Sequence, residues 1–282
     1  MFLNRIAKVY GVAWVKQRLS QWRWSLSTAF TGVGCAENAA LSIQATAQRF
    51  APGCGVTITS ACEIDRACQK VLKATFDDDQ CIFPDIRQMN TKNKYCFCSR
   101  HNQMCELQPD PDKDCPVCVD YSLMGRRLQE TGPSHEVHVS YYANMRNSKN
   151  SVLIIENVTE YKEALVKREL GGQWDLCLRS QVTMNAGAYF FKDLPKAKLT
   201  PSAAPLCGTG AHNRYLEPDE ALSSHVLPVT KKQARDSGSI MLQLGDVART
   251  SQVKMAGNAM SVPCIGAVMM CAALGLQKIP QK

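Results

Sequence analysis

The segment from residue 24 to residue 49 most constrains how this chain can fold. Trp24–Phe30 has the composition of a β-strand, the turn Thr31-Gly32-Val33-Gly34 follows, and Glu37–Arg49 has the composition of a helix. Glycines in such a turn let the backbone bend tightly or approach a ligand. Strand-like and helical segments continue to alternate, with a β-branched strand at 56–62, a helix at 65–75 and a short apolar strand at 152–155. This order predicts an α/β domain with a largely parallel central sheet.

The net charge suggests a class of partner. The chain carries a formal charge of +8 over 282 residues, and every charged residue before Glu37 is basic. A basic surface suits a polyanion, because neutralising phosphates releases counterions. A merely solubilising surface explains the same charge equally well. Hydrophobic residues make up 45% of the chain, which is enough apolar material for a folded core.

Both ends of the chain raise the question of targeting. The N-terminus lacks the apolar stretch of a signal peptide. We therefore expect the fourteen cysteines of the chain to be reduced thiols rather than a disulfide framework. Residues 1–23 are basic and amphipathic; we expect a leading helix, and an organelle transit peptide is the alternative. Val262–Leu276 is nearly all apolar but shorter than the roughly 20 residues of a membrane span. We expect a buried helix beginning at Pro263, after Ser261, and no membrane partner.

Two acidic residues follow predicted strands. Glu63 ends the second strand, and Asp85, with Ile86, follows Phe83-Pro84. Ligands of open parallel sheets bind outside the carboxyl ends of the strands, where such acids accept hydrogen bonds from ribose hydroxyls or an adenine amino group. With the glycine turn, they favour an adenosine-containing cofactor, without distinguishing a dinucleotide from S-adenosylmethionine.

Further motifs carry a family resemblance. In residues 116–125, Pro-Val-Cys-Val-Asp-Tyr-Ser-Leu-Met-Gly, Cys118 is followed by an aromatic residue three places on, a serine at four and a glycine at seven. This spacing resembles the nucleophile motif of cytosine-C5 methyltransferases. Glu156-Asn157-Val158 matches that family's Glu-Asn-Val motif, Arg214–Glu220 resembles its Arg-x-Leu-Thr-Pro-x-Glu motif, and Gly257–Pro263 resembles its last cofactor-binding motif. The motifs occur in family order.

The resemblance implies a Rossmann-like S-adenosylmethionine-dependent methyltransferase fold and methylation of cytosine C5 in DNA. RNA is the alternative substrate, the nucleus the expected location and a monomer the assumed state. Cys118 would add to cytosine C6, with Glu156 and Asn157 beside a base that has been flipped out of its stack. The implied cofactor-binding residues are Phe30, Gly32, Gly34, Glu63, Ile64, Asp85, Ile86, Asn258 and Ala259.

The resemblance also suggests a division of the chain and shows a gap. We expect an N-terminal extension at 1–23, a catalytic cofactor-binding domain at 24–182, a vestigial target-recognition segment at 183–213, and a return to the catalytic domain at 214–282. The family's Gln-x-Arg-x-Arg element is absent from the sequence, and only about sixty residues separate Val158 from Glu217. A catalytically inactive, methyltransferase-like protein that binds nucleic acid or cofactor is therefore a second hypothesis.

The cysteine-rich stretch Tyr95–Cys118 offers a competing interpretation. Its composition predicts a loop, in which Cys96-x-Cys98-x2-His101-x3-Cys105 and Cys115-x2-Cys118 could supply tetrahedral zinc ligands. These spacings fit no standard zinc knuckle, and such a site would occupy Cys118. The sequence therefore favours a free Cys118 and no metal.

Overall fold

The computed structural model describes residues 2–89, 94–107, 117–118, 134–147, 152–155, 163–170, 206–207, 214–215 and 217–275. Its strands are β1 (Arg23–Ala29), β2 (Gly55–Cys62), β3 (Cys81–Phe83), β4 (Tyr95–Cys98), β5 (Gln103–Glu106), β6 (Val117–Cys118), β7 (Ile154–Ile155), β8 (Leu206–Cys207) and β9 (Arg214–Tyr215). Its helices are α1 (Phe2–Tyr10), α2 (Val12–Ser20), α3 (Cys35–Ala47), α4 (Arg66–Thr75), α5 (Ser134–Asn147), α6 (Glu163–Leu170), α7 (Pro218–Ser224), α8 (Lys231–Ser237), α9 (Arg249–Asn258) and α10 (Val262–Gly275).

Five of these strands form a parallel sheet in the order β3-β2-β1-β6-β7. Each neighbouring pair in this sheet runs parallel. The sequence prediction of an α/β domain with a parallel sheet is confirmed at this level, and the strand order is compatible with a Rossmann-like fold. Two antiparallel pairs, β4 with β5 and β8 with β9, lie outside this sheet.

The register of the central strands brings their carboxyl ends to one level. Ala29 at the end of β1 pairs with Cys62 at the end of β2, which in turn pairs with Phe83 at the end of β3. On the other side of β1, Thr28 pairs with Val117 of β6. The segments that leave β1, β2, β3 and β6 therefore start from the same edge of the sheet.

The N-terminal segment forms two helices, whereas the sequence suggested a single leading helix. The chain breaks between α1 and α2 at Gly11, whose φ of 89° lies in the left-handed region that favours glycine. Leu3, Val15 and Leu19 are buried in the same apolar cluster as Leu274 of α10. Helices α1, α2 and α10 thus share one core.

The apolar C-terminal segment is a core helix, as predicted, and it begins at Val262, one residue before the predicted start. It packs on α3, where Gly266 lies against Ala39 and Ile43. In the part of the chain that the structure describes, no single helix is long and apolar enough to cross a membrane; α9 and α10 meet that criterion only when taken together as one bent pair.

Candidate functional site

The glycine turn joins the central strand β1 to helix α3. Three of its residues adopt left-handed backbone angles, with φ of 57° at Phe30, 60° at Gly32 and 86° at Gly34. Such an angle is unusual for a bulky residue such as Phe30 and often marks a functional constraint. The Thr31 N–H donates to the Cys62 carbonyl at 3.1 Å, which ties the turn to the end of β2.

The two glycines of the turn have different surroundings. A Cβ atom placed on Gly32 would meet no heavy atom within 4 Å, so this position faces open space. A Cβ atom on Gly34 would lie 2.5 Å from Cε2 and 2.7 Å from Cζ of Phe76. Gly32 therefore leaves room for a ligand to approach the backbone, as the sequence suggested for both glycines. Gly34 is required by packing against the segment that follows α4.

Glu63 closes the turn from the neighbouring strand. Its Oε2 accepts a hydrogen bond from the Gly32 N–H at 2.7 Å, and its Oε1 accepts one from the Asp65 N–H at 2.7 Å. Burial of the side chain raises the pKa of the Glu63 carboxyl above its ordinary value, although these two N–H donors oppose the shift. Each carboxylate oxygen has a second lone pair, so Glu63 can accept further hydrogen bonds from a ligand.

The residues after Glu63 connect this edge to the C-terminal helices. Ile64 is exposed, and Asp65 caps α4 by accepting a hydrogen bond from the Ala67 N–H at 2.8 Å. Lys254 of α9 donates from Nζ to Asp65 Oδ2 at 2.8 Å, and this bond lowers the pKa of the Asp65 carboxyl. Helix α9 therefore reaches the edge of the sheet at which Glu63 lies.

Asn258 and Ala259 were predicted to complete the cofactor site from the end of α9. Asn258 is the last residue of this helix and is exposed, and Ala259 follows it and is half-buried. Within the described residues, no hydrogen bond joins either of them to Gly32 or Glu63. The structure thus brings their helix to this edge of the sheet through the bond from Lys254 to Asp65.

Asp85 and Ile86 follow β3, next to the end of β2. The Asp85 carboxylate accepts from the Arg87 N–H at 2.9 Å and pairs with Arg87 Nη2 at 2.6 Å, and the Arg87 guanidinium holds the pKa of this carboxyl below its ordinary value. Ile86 is buried, and its carbonyl accepts from Asn144 Nδ2 of α5 at 3.1 Å. Asp85 is therefore an ionised acid near the site whose oxygens already have a partner in Arg87.

The backbone of Cys118 ends β6, the strand between β1 and β7. Cys118 pairs in register with Ile155, the last residue of β7. The predicted partners Glu156 and Asn157 lie outside the described residues, but they follow Ile155 directly in the sequence. Cys118 and the residue that precedes Glu156 are therefore neighbours across two parallel strands, beside the strand that carries the glycine turn.

Glu37 is a buried acid in this region that was not predicted from the sequence. Glu37, in the first turn of α3, is fully buried; Thr28 Oγ1 donates to its Oε1 at 2.5 Å, and its Oε2 has no hydrogen-bond partner. Burial raises the pKa of the Glu37 carboxyl to about 7, against an ordinary value of 4.5. The available signal was that Glu37 lies three residues after Gly34 and is the one charged residue in the segment that forms α3.

A group of possible metal ligands lies apart from this site. The ligand atoms of Cys81, Cys98, His101 and Cys105 lie within 4.8 Å of one another. The set considered from the sequence contained Cys96 in place of Cys81; Cys96 lies on the same strand as Cys98 but is not one of these four residues. Cys115, the other suggested ligand, lies outside the described residues, and the group of four is complete without Cys118.

Comparison with known proteins gives no assignment. No protein-family model matches the chain, and no curated protein matches its sequence.

Proposed function

We propose that this chain is an S-adenosylmethionine-dependent cytosine-C5 methyltransferase acting on DNA. The main support for the proposal is the position of Cys118 at the end of β6. This strand lies between β1, which leads into the glycine turn, and β7, which Glu156 follows in the sequence. Parallel sheets bind ligands outside the carboxyl ends of their strands. A nucleophile, a carboxylate and a nucleotide-type turn would then share one crevice.

The residues of the turn fit an adenosine-containing cofactor. Gly32 faces open space, and Glu63 is a nearly buried carboxylate with lone pairs left for ribose hydroxyls. The neighbouring acid Asp85 follows β3 at the same edge and would accept from the adenine amino group if its pairing with Arg87 rearranged. When bound, S-adenosylmethionine would supply an electrophilic methyl group, and the thioether S-adenosylhomocysteine would be left after the transfer.

The proposed chemistry assigns separate tasks to Cys118 and Glu156. The Cys118 thiolate forms a bond to C6 of cytosine, which makes C5 nucleophilic. Glu156, with Asn157, holds the N3 and amino edge of the base and stabilises the charge that develops there. After C5 accepts the methyl group, its proton leaves to solvent, the C6–S bond breaks and the thiolate is restored.

A second candidate is a methyltransferase-like protein without catalytic activity. The absence of a Gln-x-Arg-x-Arg element and the short segment between Val158 and Glu217 favour it. Positioning a substrate contributes effective molarities of about 10⁵–10⁸ M, so poor docking of the base removes much of the rate. We therefore expect methyl transfer by the isolated chain to be slow, and its binding to nucleic acid to weaken with salt and to show little sequence preference.

A covalent trap tests the proposal. The protein is incubated with S-adenosylmethionine and a duplex containing 5-fluorocytosine, whose C5 fluorine cannot leave as a proton does, and the products are analysed by intact mass spectrometry. We expect an adduct with the mass of protein, oligonucleotide and one methyl group. Cys118→Ala should abolish the adduct, and Cys271→Ser, at an exposed cysteine of α10, should retain it.

Each other outcome identifies a different error. No adduct from a protein that still binds S-adenosylmethionine would favour the inactive candidate. An adduct that survives in Cys118→Ala would overturn the choice of nucleophile. An adduct formed only with a matched 5-fluorocytosine RNA would move the proposal from DNA to RNA.

A further inference from the structure

Three cysteines and one histidine converge where the β4–β5 hairpin meets the edge strand β3. Cys81 begins β3, Cys98 ends β4, His101 lies in the hairpin turn, and Cys105 lies on β5. His101 Nδ1 lies 3.7 Å from Cys81 Sγ and 3.2 Å from Cys105 Sγ. Bonds of about 2.3 Å to sulfur and 2.0–2.1 Å to nitrogen in a tetrahedral zinc site place ligand atoms about 3.5–3.8 Å apart. The four side chains are therefore close to zinc-binding geometry.

The hydrogen bond of His101 fixes which ring nitrogen faces this group. Its Nε2 lies 2.7 Å from the carbonyl oxygen of Asp78. A carbonyl oxygen only accepts, so Nε2 must carry the proton. In the neutral imidazole Nδ1 is then unprotonated, and its lone pair is directed towards the two sulfurs. Histidines that bind metals characteristically donate their other N–H to a carbonyl or carboxylate.

Cys98 provides a buried sulfur that is already surrounded by donors. Its side chain is fully buried, and its Sγ accepts a hydrogen bond from the Ile82 N–H at 3.2 Å. The backbone N–H groups of Arg100 and His101 also interact with this sulfur. Several N–H donors on one sulfur suit a thiolate, the form in which cysteine binds zinc.

The position of the group indicates a structural rather than a catalytic role. Arg100 donates to the Leu72 and Phe76 carbonyls at 2.9 and 3.0 Å, and the Ser99 N–H donates to the Ile82 carbonyl at 2.7 Å. These bonds already hold the hairpin turn against β3 and the end of α4. Four protein ligands would leave zinc no open position for substrate, which is typical of structural sites.

We propose that Cys81, Cys98, His101 and Cys105 bind one structural Zn²⁺ ion, which fastens the β4–β5 hairpin to the edge of the parallel sheet. The site would order the strand that precedes Asp85. It is independent of the proposed methyl transfer, because its ligand set is complete without Cys118.

The first test measures metal in the full-length protein, purified without chelator and without a metal-affinity column. We expect one zinc per chain by inductively coupled plasma mass spectrometry. X-ray absorption should give a first shell of three sulfurs and one nitrogen, at about 2.3 Å and 2.0–2.1 Å. Failure of the folded protein to take up zinc on reconstitution, a first shell with fewer than three sulfurs, or a disulfide within the group would each overturn the proposal.

Cys96 provides the matched control. It lies two residues before Cys98 on the same strand and is equally buried, but it is outside the group. Cys81→Ser and Cys105→Ser should weaken zinc affinity by at least about tenfold, because changing residues that only hydrogen-bond to the metal ligands already causes a loss of this size. Cys96→Ser should leave zinc affinity unchanged. Loss of zinc in Cys96→Ser with retention in Cys81→Ser would refute the assignment. Because the absorption experiment uses unaltered protein, the proposal stays testable if a variant fails to fold.

Discussion

The two glycines of the turn should respond differently to the same substitution. Gly34→Ala places a methyl group 2.5 Å from Phe76 Cε2, whereas Gly32→Ala places one in open space. Ordinary carbon contacts are about 3.5–4.0 Å, so the Phe76 ring would have to recede by about 1 Å. That ring is buried with Ala61, Leu72 and Ile82, and it has little room to move.

The expected loss of stability follows from two contributions. A non-glycine residue with a left-handed backbone angle costs about 1–2 kcal/mol, and this applies to both positions. Overpacking of a well-packed core adds about 1–3 kcal/mol, and this applies only to Gly34. We therefore expect Gly34→Ala to lower the free energy of unfolding by about 2–5 kcal/mol and Gly32→Ala by about 1–2 kcal/mol.

Urea denaturation followed by tryptophan fluorescence measures both losses, and calorimetry with S-adenosylmethionine measures affinity. Gly32→Ala should weaken cofactor binding while the protein remains folded. Phe76→Leu should partly relieve the clash, so that the loss in Gly34→Ala/Phe76→Leu is smaller than the sum of the single losses. If Gly34→Ala is no less stable than Gly32→Ala, the packing argument is wrong. If Gly32→Ala binds the cofactor as tightly as the unaltered protein, the open space at Gly32 is not a cofactor site.

Three further predictions concern the acids at this edge of the sheet. The folded-state pKa of Glu37 is about 7 and its ordinary value is 4.5, so the folded state binds more protons than the unfolded state between these values. The free energy of unfolding should therefore fall by about 3 kcal/mol as pH rises through this window. Urea midpoints at about pH 5 and pH 8 should show this fall, and Glu37→Gln should remove it; an equal pH dependence in both proteins would contradict the assignment. Glu63→Ala should weaken S-adenosylmethionine binding about tenfold to a hundredfold in calorimetry, because charge-assisted hydrogen bonds are lost, and unchanged affinity would exclude Glu63 from the site. Asp65→Ala should lower the free energy of unfolding by about 0.5–2 kcal/mol, because the N-cap of α4 is lost. Lys254→Ala should lower it by less than about 1 kcal/mol, because the ion pair of Lys254 with Asp65 is exposed. Urea denaturation measures both losses, and two equally unstable variants would show that the cap contributes little.

The elements around the glycine turn could be predicted because local sequence patterns determine them. The strand predicted at Val56–Cys62 is observed as Gly55–Cys62, and the helix predicted to begin at Asp65 begins one residue later, with Asp65 as its cap. The predicted helix Glu37–Arg49 is displaced and spans Cys35–Ala47. It starts earlier because Gly34, with its left-handed φ, directly precedes the first turn.

The β4–β5 hairpin shows where the sequence prediction was wrong and why. Tyr95–Cys98 was expected to be a loop, but it alternates exposed Tyr95 and Phe97 with buried Cys96 and Cys98. The alternation typical of a strand was hidden because cysteines occupy its inward positions, and cysteine is more readily interpreted as a metal ligand than as a small apolar residue. For the same reason, the competing zinc interpretation included Cys96. Cys81 could not be found by spacing, because strand pairing brings it to the hairpin from a separate part of the chain.

The structure also changes what the many cysteines imply about Cys118. In the part of the chain that the structure describes, Cys35, Cys54 and Cys68 belong to the main apolar core, where cysteine serves as a small buried residue. Burial raises the pKa of the Cys68 thiol to about 12, which keeps it neutral and unreactive at physiological pH. Cys81, Cys98 and Cys105 surround one histidine nitrogen and form a separate group. The zinc interpretation and the nucleophile interpretation appeared to compete in the sequence because both drew on Cys118. Since a complete ligand set exists at the hairpin, a zinc site there and a nucleophilic Cys118 at the end of β6 are compatible within one chain.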